Sequence, residues 1–454
     1  MKLTRLIIKR LYSQYDYNVE FNSDVTFLFG SNGCGKTTIL NITEGIITGR
    51  IYKLFDYDFE EITLCYSPTK KPEEKNIVSI KKANNELTIE FNKQKYTLNE
   101  KDYDRACEIA DHYEEVYRIL ETGNEFLSKI RKTFNYVYLP LSRSTSIIPN
   151  HALRRMLLKH RGYRYSYEYI SNIGTQTDDV VMMQIEELIR NKYQEACAHI
   201  SKINDDFRNS ILKSLLEVNA LDNAEEFVRK LINSPETISS ITQTQQSYMQ
   251  LLESLNVLTK DEAEEYSSFF DYYRNDVQNF KNDKNTTLTV GFVLRFQEFI
   301  KIRTLIPLAE KMELRKTQAM RMIELFQNTM NEFIGSTIDD KKICINETGH
   351  IFFTTKYSEQ HIPISKLSSG EKQLLTFFAN LIFNVDRKSS GIFVVDEPEL
   401  SLHLSWQKIF VDKAININNN IQLIFATHAP EIIGRYRDKM FRLEKSISQL
   451  KVEI

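Results

Sequence analysis

GSNGCGKT, at residues 30–37, is the stretch that decides the fold of this chain. It matches the pattern of Gly, four residues, Gly, Lys and Ser/Thr, in which backbone N–H groups surround a chain of phosphates. The apolar residues 25–29 before it predict a buried strand, and residues 38–42 after it predict an emerging helix. Because a P-loop needs this strand, loop and helix, the sequence predicts an α/β fold that binds a nucleoside triphosphate.

P-loop chemistry assigns a role to two side chains in this stretch. Lys36 is expected to reach the β- and γ-phosphate oxygens, and the hydroxyl of Thr37 is expected to bind Mg²⁺. The predicted nucleotide contacts in and next to the loop are Gly30, Ser31, Asn32, Gly33, Cys34, Gly35, Lys36, Thr37 and Thr38.

A pair of carboxylates near the other end of the chain supplies the second half of the site. The apolar residues 391–395 predict a short strand that ends in Asp396 and Glu397. Asp396 is suited to Mg²⁺, and Glu397 to a water that attacks the γ-phosphate. An isolated acidic pair is usually a solvated strand end, but this one follows an apolar strand in a chain with a P-loop. The sequence therefore predicts ATP and Mg²⁺ as cofactors.

Two further segments fit the same machinery. The loop LSSGE, residues 367–371, precedes an apolar helix predicted at 373–383, although Ser-Ser-Gly alone is ordinary loop composition. A third apolar strand, at 422–426, is followed by Thr427 and His428. A lone His at a strand end is more often structural, but the order of the motifs favours a catalytic role for His428.

In this order the motifs resemble the ABC-type ATPases of the SMC/RecF branch, and within it the PtuA ATPase subunits of Septu-like bacterial antiphage defence systems. The resemblance covers the two ends of the chain and leaves its middle unassigned. It implies an ABC-type head, with a mixed sheet, flanking helices and a small antiparallel β-subdomain. The family roles carried over are Lys36 and Thr37 as Walker A, 367–373 as the signature loop, Asp396 and Glu397 as Walker B, and His428 as the switch histidine.

The resemblance also implies that two copies engage around ATP. One copy's Walker residues would bind the nucleotide, and the other copy would close over the γ-phosphate with Ser368, Ser369, Gly370 and Glu371. Ser369 and Glu371 stand where transporters usually have Gly and Gln, and both variants resemble SMC-type ATPases. In the segment 396–403, His403 stands where transporters have Asp, as in the defence ATPases. No clear Q-loop glutamine follows the first sheet.

The predicted domains are an N-terminal head lobe at 1–144, a helical insert at 145–337 and a C-terminal head lobe at 338–454. Alternation and turn residues between 76 and 98 predict the antiparallel subdomain. Long polar helices are predicted at 179–204, 261–280 and 305–333. Their apolar positions keep no strict heptad, which favours a compact bundle or a short antiparallel arm over a long coiled coil.

The start of the predicted insert carries two features whose role the sequence leaves open. Arg143 follows a strand predicted at 134–139, and it is suited equally to sensing nucleotide and to capping a helix. The basic and aromatic residues that follow are suited to nucleic acid, to a partner protein or to plain structure. They are Arg154, Arg155, Lys159, His160, Arg161 and Arg164, interleaved with Tyr163, Tyr165 and Tyr167.

Composition limits the remaining function classes. The formal net charge of −2 gives no overall field that would attract DNA or anionic lipid. The start lacks a signal-peptide layout and no long apolar run follows, so the chain is expected to be cytoplasmic. The five cysteines and the dispersed histidines form neither a zinc pattern nor a nuclease motif.

The predicted function is an ATPase that regulates a separate partner nuclease in antiphage defence, with an HNH enzyme favoured. Because the stretch after His428 is short, we do not expect a fused TOPRIM nuclease. The alternative is a RecF-like DNA-binding repair ATPase without a toxic effector. A transporter ATPase is disfavoured by the helical insert, and an AAA+ ring ATPase by the signature loop, which has no role there.

Overall fold

The computed structural model describes most of both ends of the chain and separate helices between them. The described residues are 1–68, 73–109, 119–120, 124–134, 136–140, 177–216, 238–254, 258–282, 289–335, 340–384 and 391–447. Arg143, the basic and aromatic residues at 154–167 and the strand predicted at 450–454 lie outside them. The predicted domain boundaries at 144/145 and 337/338 do so too, and they stay predictions.

Fifteen strands are described. They are β1 Lys2–Leu11, β2 Tyr15–Glu20, β3 Val25–Phe29, β4 Glu61–Ser67, β5 Asn76–Ala83, β6 Glu86–Phe91, β7 Gln94–Asn99, β8 Tyr136–Pro140, β9 Lys342–Ile345, β10 Ile351–Thr355, β11 Ser358–Pro363, β12 Ile392–Asp396, β13 Gln422–Thr427, β14 Met440–Arg442 and β15 Ser446–Ile447. The strands predicted next to the P-loop, the acidic pair and His428 are confirmed as β3, β12 and β13.

Ten α-helices are described, and those of the insert are longer than predicted. The helices are Lys36–Ile47, Glu100–Ile109, Glu125–Thr133, Thr177–Leu216, Ile238–Ser254, Lys260–Asn282, Val290–Ile334, Ser369–Ala379, Leu404–Ile417 and Pro430–Ile433. The helix predicted at 305–333 begins at Val290 and continues through Pro307. The helix after the signature loop ends at Ala379, and a π-helical turn, Asn380–Asn384, extends it.

A five-stranded parallel sheet carries the three key strand ends. Its order is β14-β3-β13-β12-β8, so β13 lies between the P-loop strand and the strand of the acidic pair. All residues of β12 and β13 are buried, as expected for central strands covered on both faces. Parallel strands end at the same edge, and here Asp396 pairs with Ala426 while Thr427 pairs with Phe29. This register brings the P-loop, the acidic pair and His428 to one edge of the sheet.

The antiparallel sheet is larger than the predicted subdomain. The three predicted strands are confirmed as β5, β6 and β7, but the sheet has seven strands in the order β15-β2-β1-β4-β5-β6-β7. Asn84 and Asn85 turn the β5–β6 hairpin with φ of 50° and 63°, left-handed values that Asn tolerates. A separate three-stranded sheet has the order β11-β10-β9.

A buried glutamine links the parallel and the seven-stranded sheets. Gln422, the first residue of β13, is 0% exposed. Its Oε1 accepts a hydrogen bond from Leu3 N at 2.7 Å, and its Nε2 donates to Leu3 O at 2.8 Å and Asn22 O at 2.7 Å. Every polar atom of this side chain is thus used to hold β1 beside β13.

The chain divides into two compact units, Met1–Lys192 with Met322–Ile454, and Tyr193–Arg321. The second unit has an aromatic core of its own, in which Tyr273 stacks on Phe299 at 4.6 Å. The predicted α/β P-loop fold with a large helical insertion is therefore confirmed. Within the described residues, none of the helices has the length and apolar composition needed to cross a membrane.

Candidate nucleotide-binding and hydrolysis site

The P-loop has the backbone conformation that phosphate binding needs. Gly33 and Gly35 have φ of +78° and +102°, and the helix begins directly afterwards at Lys36. No side chain caps this helix, so its first N–H groups point toward the loop. A Cβ on Gly35 would lie 2.8 Å from the hydroxyl of Tyr17, which donates a hydrogen bond to Cys34 O at 3.0 Å. Tyr17 therefore holds the loop backbone at Cys34 and leaves room only for glycine at position 35.

Lys36 lies across the loop. Its Nζ donates hydrogen bonds to Gly30 O at 2.8 Å and Ser31 O at 3.2 Å. The ammonium is thus held above the backbone of the loop, where Lys36 is predicted to reach the phosphates. The predicted contacts Gly30 to Thr38 all belong to this loop and the first turn of its helix.

Thr37 and Asp396 meet although 359 residues separate them in the chain. The Thr37 hydroxyl donates a hydrogen bond to Asp396 Oδ2 at 2.9 Å. Asp396 is 3% exposed, and its Oδ1 has no hydrogen-bond partner among the described residues. Burial raises the pKa of Asp396, the bond from Thr37 opposes this rise, and the charge of Glu397 adds to it. A hydroxyl beside a buried carboxylate with a free oxygen fits Mg²⁺, which binds few protein oxygens and completes its shell with phosphate and water.

Glu397 lies at a strained turn directly after β12. Its φ is +49°, which is uncommon for a residue with a side chain and often marks a functional position. Two backbone bonds hold the turn: Glu397 N donates to Ala426 O at 2.8 Å, and Leu400 N donates to Glu397 O at 3.1 Å. The backbone of the residue predicted as the base is thus held at the end of the neighbouring strand β13.

His428 is paired with a carboxylate that sequence reasoning missed. Glu399 is 7% exposed, and its Oε1 lies 2.9 Å from His428 Nδ1. The same oxygen accepts a hydrogen bond from His428 N at 2.9 Å. The signal in the sequence was a further acidic residue, the third of the segment, three positions after Asp396. Its partner lies 29 residues further along the chain, which explains why local pattern did not reveal it.

The signature loop begins its helix with a capping box. Ser368 Oγ accepts a hydrogen bond from Glu371 N at 3.3 Å, and Glu371 Oε2 accepts one from Ser368 N at 2.8 Å. Glu371 Oε1 forms an ion pair with Lys341 at 2.9 Å. Burial alone would raise the pKa of Glu371, but the bonds from Lys341 and Ser368 hold it below the ordinary value. Both oxygens of Glu371 have protein partners, and its predicted contact with nucleotide stays a prediction, as do those of Ser368, Ser369 and Gly370.

The signature helix lies against the loop that follows the acidic pair. A Cβ on Gly370 would lie 2.4 Å from Ser401 O and 3.3 Å from the ring of Trp406. Gln373 Nε2 donates a hydrogen bond to Pro398 O at 3.1 Å. His403 ends the same loop and caps the helix Leu404–Ile417, where its Nδ1 accepts from Ser405 N at 3.3 Å. The structure thus joins the signature and acidic-pair segments through the close approach of Gly370 to Ser401 and the side-chain bond of Gln373.

Comparison with curated proteins finds two relatives that are named as probable ATPases. The "Retron Vc95 probable ATPase" of Vibrio cholerae serotype O1 biovar El Tor is 28% identical over 200 residues, 40% of this chain and 39% of the relative. The "Retron Ec83 probable ATPase" of Escherichia coli is 31% identical over 80 residues, 16% of this chain and 15% of the relative. The matched region thus spans well under half of either curated relative.

Among solved structures, an Smc head domain from Pyrococcus furiosus, bound to the C-terminal domain of ScpA, matches 98% of this chain and 96% of that chain. The sequence identity is 11% and the TM-score is 0.40, too low to support an argument about function.

The family comparison covers the whole parallel sheet except β14, together with every motif of the site. The model described as AAA ATPase domain matches residues 1–433, which include the P-loop, the acidic pair and His428. The chain therefore belongs to the AAA ATPase domain family.

Proposed function

We propose that this chain binds and hydrolyses ATP at the edge of its parallel sheet. The observation that carries the proposal is the hydrogen bond from Thr37 to Asp396 at 2.9 Å, which joins the P-loop to the buried acidic strand. Membership of the AAA ATPase domain family supports it.

Each residue of the site has a separate task in this proposal. The P-loop N–H groups and Lys36 bind the phosphates, while Thr37 and Asp396 hold Mg²⁺. When bound, the metal would neutralise charge on the phosphate oxygens. Glu397 positions and deprotonates the attacking water, and His428 contacts the γ-phosphate. Phosphoryl transfer depends mainly on such positioning and charge neutralisation.

We further propose that two copies engage around ATP. Among the described residues, none of Ser368 to Glu371 forms a hydrogen bond with the P-loop of the same chain. Ser368 caps, and Ser369 and Gly370 begin, a helix whose N-terminus is suited to an anion. These facts are consistent with a signature loop that completes the site of a second copy.

The engaged pair would regulate a separate nuclease in antiphage defence. Support comes from the motif resemblance to Septu-type ATPases and from two relatives that are named retron probable ATPases. An HNH enzyme remains the favoured partner, and residues 154–164 are the proposed contact with nucleic acid or with that partner.

The test begins with ATPase assays of the purified chain and of Lys36→Ala, with and without Mg²⁺. Activity in the first protein and its loss in the second are expected, and equal rates would contradict the proposal. The chain is then purified with the product of its neighbouring gene, and nuclease activity is measured with and without ATP. ATP-dependent cleavage supports the defence role. DNA binding without any nuclease would favour the RecF-like alternative.

A further inference from the structure

We propose that Glu399 is a positioning residue that fixes the proton and the orientation of the His428 ring, so that Nε2 faces the γ-phosphate. The proposal rests on the ATP hydrolysis proposed above. Glu399 itself would not touch the nucleotide and would act entirely through His428.

The geometry shows which ring nitrogen faces the carboxylate. Glu399 Oε1 lies 2.9 Å from His428 Nδ1, and a carboxylate oxygen can only accept a hydrogen bond. Nδ1 is therefore the ring nitrogen that faces the carboxylate, and Nε2 is the nitrogen left for a ligand. The backbone N of His428 donates to the same oxygen at 2.9 Å, so ring and main chain share one acceptor. Rotation of the ring would break the Nδ1 contact.

The two side chains differ in how much of each is exposed to solvent. Glu399 is almost fully buried, whereas the side chain of His428 is 46% exposed. The ring is thus open on one side and held by the protein on the other. A hydrogen bond from Nε2 to a phosphate oxygen needs a second ring proton, and the buried carboxylate would balance the resulting positive charge.

A purely structural role explains the burial of Glu399 poorly. Its second oxygen, Oε2, has no hydrogen-bond partner among the described residues. A buried carboxylate without full hydrogen bonding is costly, and a neutral side chain would anchor the His428 backbone N–H at lower cost. The charge is useful only if a positive group faces it, and the His428 ring is in place to be that group.

The loop that carries Glu399 is itself fixed. Gln407 Nε2 donates hydrogen bonds to Leu402 O at 3.0 Å and Glu399 O at 3.4 Å. Gln373, from the signature helix, holds the neighbouring Pro398 O at 3.1 Å. Hydrogen bonds thus hold the backbone around Glu399 in place, as a positioning residue requires.

The first test is a double-mutant cycle of Glu399→Gln and His428→Gln. The amide oxygen of the new Gln can still accept from the His428 backbone, so this variant removes mainly the charge. We expect it to lower kcat about 10-fold and to change the KM for ATP less than about 2-fold, with almost no further loss in the His428→Gln background. Equal losses in both backgrounds would show that Glu399 acts independently and would overturn the proposal. Glu431→Gln removes a nearby carboxylate as the control, with unchanged kcat expected.

The second test needs no hydrolysis. Long-range ¹H–¹⁵N spectra of the ¹⁵N-histidine-labelled chain report which ring nitrogen carries the proton, and His428→Gln assigns the signal among eight histidines. We expect a protonated Nδ1 in His428, whereas a ring protonated only on Nε2 would overturn the proposal. If the chain and Lys36→Ala hydrolyse ATP equally, the proposed function fails, while this spectrum still decides the role of Glu399.

Discussion

We expect the replacement of Glu397 to separate ATP binding from hydrolysis. It stands at a strained turn next to Asp396, but among the described residues it forms no hydrogen bond with the P-loop. Glu397→Gln keeps the shape and removes the base, so we expect intact ATP binding and a kcat about 10²–10⁴-fold lower. A fluorescent ATP analogue measures binding, and phosphate release measures turnover. Normal turnover in this variant would exclude Glu397 as the base.

Two P-loop glycines differ in a way that substitution can detect. Gly33 and Gly35 both have positive φ, but only at Gly35 would a Cβ meet another atom closely, the hydroxyl of Tyr17 at 2.8 Å. Each alanine costs about 1–2 kcal/mol in backbone strain. We therefore expect Gly35→Ala to weaken ATP binding more than Gly33→Ala. Equal loss in both variants would mean that Tyr17 yields to the added methyl group.

At the residue scale, the sequence allowed the prediction of side chains whose role follows from the motif around them. Lys36, Thr37 and Asp396 belong to this class, and the structure brings Thr37 and Asp396 into contact. Glu399 was missed because its role depends on His428, which only the register of β12 and β13 brings near. Glu371 was predicted to contact nucleotide, although its place three residues after Ser368 is also the spacing of a capping box.

At the scale of elements, the capping box makes the start of the signature helix sensitive to acid. The pKa of Glu371 is below its ordinary value of 4.5, because the bonds from Lys341 and Ser368 outweigh burial. Its contribution to the free energy of unfolding is therefore complete above pH 4.5 and is lost as pH falls through the lower folded pKa.

The comparison of the chain with Glu371→Gln tests this dependence. Denaturant unfolding followed from about pH 7 to about pH 3 should show the variant less stable at neutral pH, with the difference shrinking in acid. Glu347→Gln, at an exposed turn, serves as the control and should show no such change. A difference that grows in acid would contradict the assigned bonds.

Element types were predictable where hydrophobic periodicity was strong, and element limits were not. The strands β3, β12 and β13 follow the predicted apolar runs, and β5 to β7 follow the predicted alternation. The seven-stranded sheet was underestimated because its pairing of β1 with β4 joins segments separated by the P-loop helix. The helix Val290–Ile334 runs through Pro307, a residue that local rules treat as a probable helix end.

At the scale of the whole molecule, replacement of Gln422 tests how strongly this side chain joins the parallel and the seven-stranded sheets. Gln422→Leu would leave the N–H and C=O of Leu3 without a side-chain partner, so we expect a loss of about 1–3 kcal/mol in the free energy of unfolding. Gln94→Leu, at the exposed start of β7, should change it by less than about 0.5 kcal/mol. Similar values for both variants would show that other contacts hold the sheets.

Engagement of two copies is the second property of the whole molecule that a variant can test. Ser368→Arg puts a bulky charge at the proposed interface, and Thr348→Arg puts the same charge at an exposed turn elsewhere. In the Glu397→Gln background, light scattering with ATP should give twice the chain mass of 53.3 kDa for Thr348→Arg and a single mass for Ser368→Arg. ATP binding should be equal in both. A sixfold mass would favour a ring instead.

The sheet order also determines when, during synthesis, β3 can pair with its neighbours. β3 is synthesised well before its two neighbours, β13 and β14, which begin at Gln422 and Met440. The strand that carries the P-loop must therefore wait until β13 is made before it can pair, while β4 to β7 can already pair with one another. A partly made chain holds the phosphate loop but has neither Asp396 nor a closed sheet. A chain that ends before Asp396 would therefore lack the proposed ATPase site.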